Sequence, residues 1–252
     1  MKLISFDLEI SNLLPEKVDN LFDYAPLRIS CAATASDDVQ FWYGVPHLNQ
    51  EESQKLVKDL INYVAEGYTI VSWNGCGFDF RVLAEESGMV EECGDLALNH
   101  VDLMLLVTFK KGWYLGLDKA LSGANIAGKV HELKLKNGKM LREMSGALAP
   151  KLWSEGETEA VLTYLRGDVE QTLALAEVVR ETHKIRWTSG RGKPQSVAVP
   201  KLLTVRECFD LREPDTSWMS NAPQREDFVQ WIPDWERKLE ERPGEYRMDK
   251  MF

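Results

Sequence analysis

An apolar run, Leu3, Ile4 and Phe6, carries the chain into SFDLE at positions 5–9 and predicts a first strand over 2–9. Period-two alternation along it puts Asp7 and Glu9 on one face. Two β-rich runs at 27–34 and 39–43, parted by the turn-like Ser36-Asp37-Asp38, complete an antiparallel meander. Between them and the first strand, residues 11–23 are polar, contain Asn12 and Pro15, and read as a loop or short helix. At 50–66 the apolar positions become Leu56, Val57, Leu60, Ile61, Val64 and Ala65, the stripe of an amphipathic helix, with Gly67 as its C-terminal stop. The run 68–73 predicts a buried strand. Strand, strand, strand, helix, strand opens an α/β domain with a mixed sheet.

After this strand, Asn74-Gly75-Cys76-Gly77 predicts a turn and a helix starting near Phe78, with Asp79 in its first turn, where the positive helix end favours a carboxylate. HVDLMLLV at 100–107 predicts a strand or strand–helix junction. Its Asp102 is a weaker candidate for chemistry, because a single aspartate at a strand end usually caps. A short helix is expected at 115–123. The last strong element is a helix over 155–184, its start marked by a capping box of Ser154 and Glu157. Tyr164 and Asp168, four residues apart, share one of its faces.

From 185 the polar run IRWTSGRGKPQS predicts a loop or linker. Beyond it, Trp218, Phe228, Trp231 and Trp235 are expected to dock against the main domain or a protein partner, since so many aromatics do not suit a disordered tail. The stretch from 236 is charged and expected to fray at its end. The division is therefore a main domain at 1–184 and an extension at 185–252.

Composition narrows the function classes. At 252 residues, 44% hydrophobic and 28% charged, the chain suits a globular protein with a full core. No apolar run approaches the ~20 residues needed to span a bilayer, and the start lacks a signal-peptide pattern. A soluble, cytoplasmic protein with no membrane partner is expected. Cys31, Cys76, Cys93 and Cys208 lie far apart, without a CxxC pair, and read as free and mostly buried thiols. The net charge of −10 argues against broad adhesion to nucleic acid or anionic membrane.

Two local tracks run against that balance. Lys129, Lys134, Lys136, Lys139 and Arg142 face only Glu132, and Arg180, Lys184, Arg186, Arg191, Lys193, Lys201 and Arg206 face only Glu181, with Trp187 available to stack on a base. A solvated loop and a basic linker are the alternatives.

The acids raise a physical question. Neighbouring carboxylates at the end of a core strand repel, and burial raises their pKa values, unless a cation or hydrogen-bond donors compensate them. A divalent metal on oxygen ligands is the simplest compensation. Otherwise the strand ends with its acids in water, Asp79 only stabilises a helix, and Tyr164 and Asp168 form a surface pair.

The motifs FDLE, NGCGFD and YLRGD occur in that order on the expected elements. Over about 1–184 the chain thereby resembles the DnaQ-like, or DEDD, 3′-to-5′ exonucleases of the ribonuclease H-like superfamily, in the subgroup with tyrosine in its third motif. GLDKAL looks like a corresponding helix in the exonuclease domains of family B polymerases. The resemblance implies a ribonuclease H-like mixed β-sheet flanked by helices, followed here by a C-terminal extension. It further implies two Mg2+ or Mn2+ ions on Asp7, Glu9, Asp79 and Asp168, and a water oriented by Tyr164. The implied substrate is single-stranded DNA or a frayed 3′ end, cleaved to nucleoside 5′-monophosphates, in trans if the role is proofreading. Expected nucleic-acid contacts are Asn74, Phe78, Lys134, Lys136, Lys139, Arg186, Trp187, Arg191 and Lys193. Cleavage of RNA at the same site, or a binding or scaffold protein without turnover, are the other readings. Ile10 stands where many relatives have threonine, and 11–23 is not their short glycine-containing turn, which bears on how the terminal nucleotide is gripped.

Overall fold

A computed structural model describes residues 1–15, 17–128 and 132–240. Lys129 of the first basic track and residues 241–252 of the charged tail lie outside that set.

The meander is formed by β1 (Lys2–Ile10), β2 (Ile29–Ala35) and β3 (Val39–Tyr43), with antiparallel pairing throughout. Helix α1 (Gln50–Ala65) follows, started by a capping box of Asn49 and Glu52, and the chain re-enters the sheet as β4 (Tyr68–Ser72), parallel to β1. Next come α2 (Asp79–Ser87), α3 (Val90–Asn99), the two-residue β5 (Val101–Asp102) and α4 (Leu103–Lys111). The five strands lie in the order β3-β2-β1-β4-β5, mixed as expected, with β1 in the centre. A short α5 (Leu117–Gly123), the hairpin β6 (Leu133–Lys134) and β7 (Met140–Leu141), α6 (Ala149–Ser154) and the long α7 (Thr158–Thr182) complete the region of the three motifs.

The two faces of β1 divide the labour. Ile4, Phe6 and Leu8 point into an apolar cluster with Leu56, Val57 and Leu60 of α1 and Phe80 and Leu83 of α2, where the Phe6 and Phe80 rings lie 5.3 Å apart. Burying each of these side chains fully contributes roughly 1.5–3 kcal/mol. The opposite face carries Ser5, Asp7 and Glu9, paired in register with Ala35, Ala33 and Cys31 of β2. These small neighbours leave room for α7 to lie against the sheet, and Cys31, Ala33 and Ala35 share a cluster with Tyr164, Leu165 and Val169. Ser5 ties the two layers together: its buried hydroxyl donates to the Val169 carbonyl at 2.7 Å.

Several sequence expectations are corrected. Helix α7 has no Ser154–Glu157 capping box: Ser154 ends α6, its hydroxyl donating to the Lys151 carbonyl at 2.8 Å, while Glu157 accepts the Lys136 amide at 2.8 Å. A helix ending at the expected cap moved the start of the next one downstream. Residues from 185 form no linker either. They build an antiparallel hairpin of β8 (Lys184–Thr188) and β9 (Pro194–Ala198), whose Ile185, Trp187 and Val197 join the first cluster. The run 100–107 is almost wholly helical beyond β5. All four cysteines are free and buried, as expected.

After the short α8 (Val205–Cys208) the extension crosses back over the main core. Phe228 is buried, Trp231 and Trp235 pack on the first cluster, and α9 (Trp235–Glu240) reaches α3 through Lys238, whose ammonium lies 2.7 Å from Glu91 and 3.0 Å from Asp95. Trp218 alone of the four expected docking aromatics stays out, 70% exposed.

Replacing Ser5 by alanine leaves the Val169 carbonyl without this donor in the layer between β1 and α7. The expected loss is about 1–2 kcal/mol, read as a lower denaturant midpoint with an unchanged slope; an unaltered midpoint would show that the bond does not hold the layers.

Candidate active site

Three elements supply the expected acids, and two of these residues, Asp7 and Asp79, meet. β1 supplies Asp7, half-buried, and Glu9, 6% exposed, just before its register with β2 shifts between Glu9 and Ile10. Such irregularities re-aim side chains near the end of a ladder. Ile10 itself packs into the apolar core. α2 supplies Asp79 from its first residue, 1% exposed, and α7 supplies Asp168, 3% exposed, one helical turn after Tyr164, 2% exposed.

Asp7 and Asp79, seventy-two positions apart in the chain, meet at the backbone of β1. The Leu8 amide lies 3.1 Å from Asp7 Oδ1 and 3.1 Å from Asp79 Oδ1, so both carboxyl groups crowd one donor. Burial, then the charge of Asp7 and a direct hydrogen bond to its carboxyl group, push Asp79 well above the ordinary carboxylate range. Two carboxyl groups can share a hydrogen bond only if one of them carries the proton. Glu9 lies beside the short turn Gly146–Leu148, where a Cβ on Gly146 would sit 3.6 Å from Glu9 Oε2. Burial and the neighbouring Glu9 drive the Cys31 thiol upward as well, which keeps it protonated and unreactive.

The donor set is chemically suited to a hard divalent cation, because it is all oxygen and is largely removed from water. Among the described residues, however, no group of three or more His, Cys, Asp or Glu side chains is gathered in coordinating geometry.

The turn preceding Asp79 is held by residues whose signal in the sequence is weak or absent. Asp102 caps α4, accepting the Leu105 amide at 3.0 Å, as expected of a strand-end aspartate. It also accepts the amides of Asn74 at 3.0 Å and Cys76 at 3.1 Å, tying β5 to the 74–78 turn. Ser72 Oγ accepts the Gly75 amide at 3.0 Å and lies 2.8 Å from His100 Nε2, while His100 Nδ1 lies 2.7 Å from the Ala97 carbonyl. Since a carbonyl only accepts, Nδ1 carries the hydrogen and Nε2 accepts from the serine. A Cβ at position 75 would collide with Ser72, so glycine is required for this approach. Spacing could not reveal His100, which follows the motif by some twenty residues.

The expected nucleic-acid contacts do not form one surface class. Lys134, Lys136 and Lys139 are exposed on the β6–β7 hairpin, and Arg191 and Lys193 on the β8–β9 turn. Arg186 is half-buried and bonds Thr182 at 3.2 Å. Asn74 and Phe78 are half-buried beside the acids, Asn74 at φ 72° and Phe78 6.3 Å from the Phe22 ring. Trp187 is corrected: only 5% exposed and packed edge-on against Trp113, it has no free face for a base. The aromatic run Phe41 to Tyr43 serves the sheet edge, with Trp42 Nε1 donating to Asp59 at 2.9 Å. A groove of about 450 Å³ there, lined by Trp42, Lys55, Asp59 and Tyr63 among others, is not lined by Asp7, Glu9, Asp79 or Asp168.

A family model of the RNase H superfamily matches residues 6–180, from β1 to the end of α7. The chain belongs to the RNase H superfamily. This RNase H-like chain is similar to a solved family B DNA polymerase from the hyperthermophilic archaeon Pyrobaculum calidifontis, at 19% identity and a TM-score of 0.48. The match covers 71% of this chain and spans 24% of the polymerase. No curated protein matches. No helix among the described residues is long and apolar enough to cross a membrane.

Burial lowers the His100 pKa, outweighing the opposing charge of Asp102. The unfolded imidazole, with a pKa of about 6.5, therefore takes up a proton that the folded one refuses, and this part of the stability, complete above that value, is lost as pH falls through the folded pKa. A His100→Gln variant is expected to show a shallower fall of denaturant midpoint below pH about 6.5 than the parent; parallel curves would remove His100 from the account.

Proposed function

We propose that the protein is a metal-dependent 3′-to-5′ exonuclease acting on single-stranded DNA or frayed 3′ ends, releasing nucleoside 5′-monophosphates. The observation that carries this reading is the meeting of Asp7 and Asp79 across the Leu8 amide, with a hydrogen bond between their carboxyl groups. Two carboxyl groups crowded in this way are a place where the positive charge of a divalent cation would offset their repulsion. Asp7, Glu9, Asp79 and Asp168 would hold two Mg2+ or Mn2+ ions. When bound, such a pair supplies an activated water and charge stabilisation at the leaving 3′ oxygen.

The chain's own groups have separable tasks. Asp7 and Glu9, on one face of the central strand, set the position of the site, and Asp79 and Asp168 close it from two helices. The Tyr164 hydroxyl would orient the attacking water as a hydrogen-bond partner. It is not assigned as the base, because a phenol with an ordinary pKa of about 10 is protonated at neutral pH. Lys134, Lys136 and Lys139 are in reach of solvent and would take phosphates of the strand.

The alternative is a nucleic-acid-binding or scaffold protein without turnover. The deciding experiment is a time course on matched 5′-labelled single-stranded DNA and RNA with Mn2+, Mg2+ or chelator. A metal-dependent ladder shortening from the 3′ end supports the exonuclease and identifies the preferred sugar; no shortening of either strand supports the binding reading.

Asp7→Ala and Asp168→Ala are each expected to abolish turnover, and Tyr164→Phe to slow it by roughly 10²-fold or more while leaving metal affinity intact. Unchanged rates in all three would sink the assignment. Neutralising Lys134, Lys136 and Lys139 together is expected to weaken binding and flatten its salt dependence, by about 0.7 in slope for each phosphate charge left unneutralised on a single strand. An identical salt slope would return the hairpin to a solvated role.

A further inference from the structure

The extension that follows the matched region makes polar contacts with the turn that launches Asp79. Helix α2 starts irregularly: the Phe80 amide donates to the Gly75 carbonyl at 2.9 Å, five residues back. The Cys76 carbonyl, which precedes α2 in the turn, accepts from Trp231 Nε1 at 2.9 Å, and the same N–H lies 3.0 Å from the Phe228 carbonyl. Cys76 Sγ in turn donates to the Phe228 carbonyl at 3.4 Å. A Cβ on Gly77 would lie 3.2 Å from the Phe228 ring, so turn and extension are in close contact at Cys76 and Gly77.

This contact is anchored at both ends. Upstream, Arg225 donates to the Phe209 carbonyl at 3.1 Å and the Phe109 carbonyl at 3.3 Å, with its guanidinium 4.8 Å from the Phe109 ring. Downstream, Ile232 presses on Gly94 so closely that a Cβ there would meet it at 2.6 Å, and Lys238 closes on Glu91 and Asp95.

We infer that residues 226–232 are a positioning element for the acidic site, with Trp231 holding α2 in the irregular start that aims Asp79 at Asp7. The inference deepens the exonuclease reading and rests on it for its catalytic consequence. Physically, the Trp231 N–H ties the Cys76 carbonyl of the turn to the extension, while the Phe80 amide is held by the Gly75 carbonyl of the same turn. Losing this tie loosens the turn, and Asp79 directly follows it. A displacement of this kind costs rate rather than affinity, since the strand is bound elsewhere.

The test uses the full chain with Trp231→Phe, which keeps the ring and removes the N–H, and Cys76→Ala, which loosens the same contact from the turn. Trp218→Ala, on an exposed part of the same extension, is the control. Amide exchange by NMR and Mn2+ binding by calorimetry report on the turn independently of activity. In Trp231→Phe, exchange at 77–81 is expected to quicken about 10-fold with β1 unaltered, Mn2+ affinity to fall, and kcat to drop roughly 10-fold at constant KM. Cys76→Ala should act in the same direction, and the two effects should combine non-additively; Trp218→Ala should change nothing. Unchanged exchange at 77–81 in both variants, or a rise spread evenly over the whole chain, would overturn the inference. Should the unaltered protein prove inactive on every strand, the exonuclease reading falls, and exchange at 77–81 alone still decides whether Trp231 positions the turn.

Discussion

Carboxylate crowding at the end of β1 is the constraint to which the remaining architecture responds. Asp7 and Glu9 leave the central strand side by side, and Asp79 is driven against Asp7 by the start of α2. Buried like charges are costly unless protons, donors or cations compensate them. The Leu8 amide provides part of that compensation in this structure, and burial beside Asp7 pushes Asp79 toward its neutral form.

Holding such a cluster together requires rigidity around it, and the sheet provides it asymmetrically. One face of β1 is packed with Ile4, Phe6 and Leu8 under α1 and α2, while the other is lined by small residues under α7. The acids thus sit on the face where there is least apolar bulk, and Ser5 fixes α7 there through the Val169 carbonyl. Asp102 and the Ala97–His100–Ser72 chain then immobilise the 74–78 turn from beneath. Apart from the Ala97–His100 bond, these contacts join elements distant in sequence, which is how a fold places groups that repel one another.

The C-terminal extension completes this enclosure from outside. Its hairpin buries Trp187, and its return path lays Phe228 and Trp231 on Cys76 and Gly77. A segment that forms part of the wall around the turn of Asp79 is mechanically continuous with the RNase H-like region that the family model covers.

Local pattern carried most of the secondary structure and the acids themselves. The alternation in LISFDLE required a strand with Asp7 and Glu9 on one face, and the stripe of α1 and the spacing of Tyr164 and Asp168 were equally visible, because they depend only on the 2.0 and 3.6 periods of the backbone. Boundaries that depend on competition between neighbouring segments were less legible: Ser154 reads as a cap for α7 but closes α6, and a polar run at 185 became a hairpin once its alternate residues found the core. Tertiary structure alone decided that Asp79 meets Asp7, that Asp102 serves three amides where a local cap serves one, and that Trp187 is buried while Trp218 is exposed. Those outcomes rest on contacts between residues tens to hundreds of positions apart, whose free energy appears only after the layers have closed, and no local period encodes them.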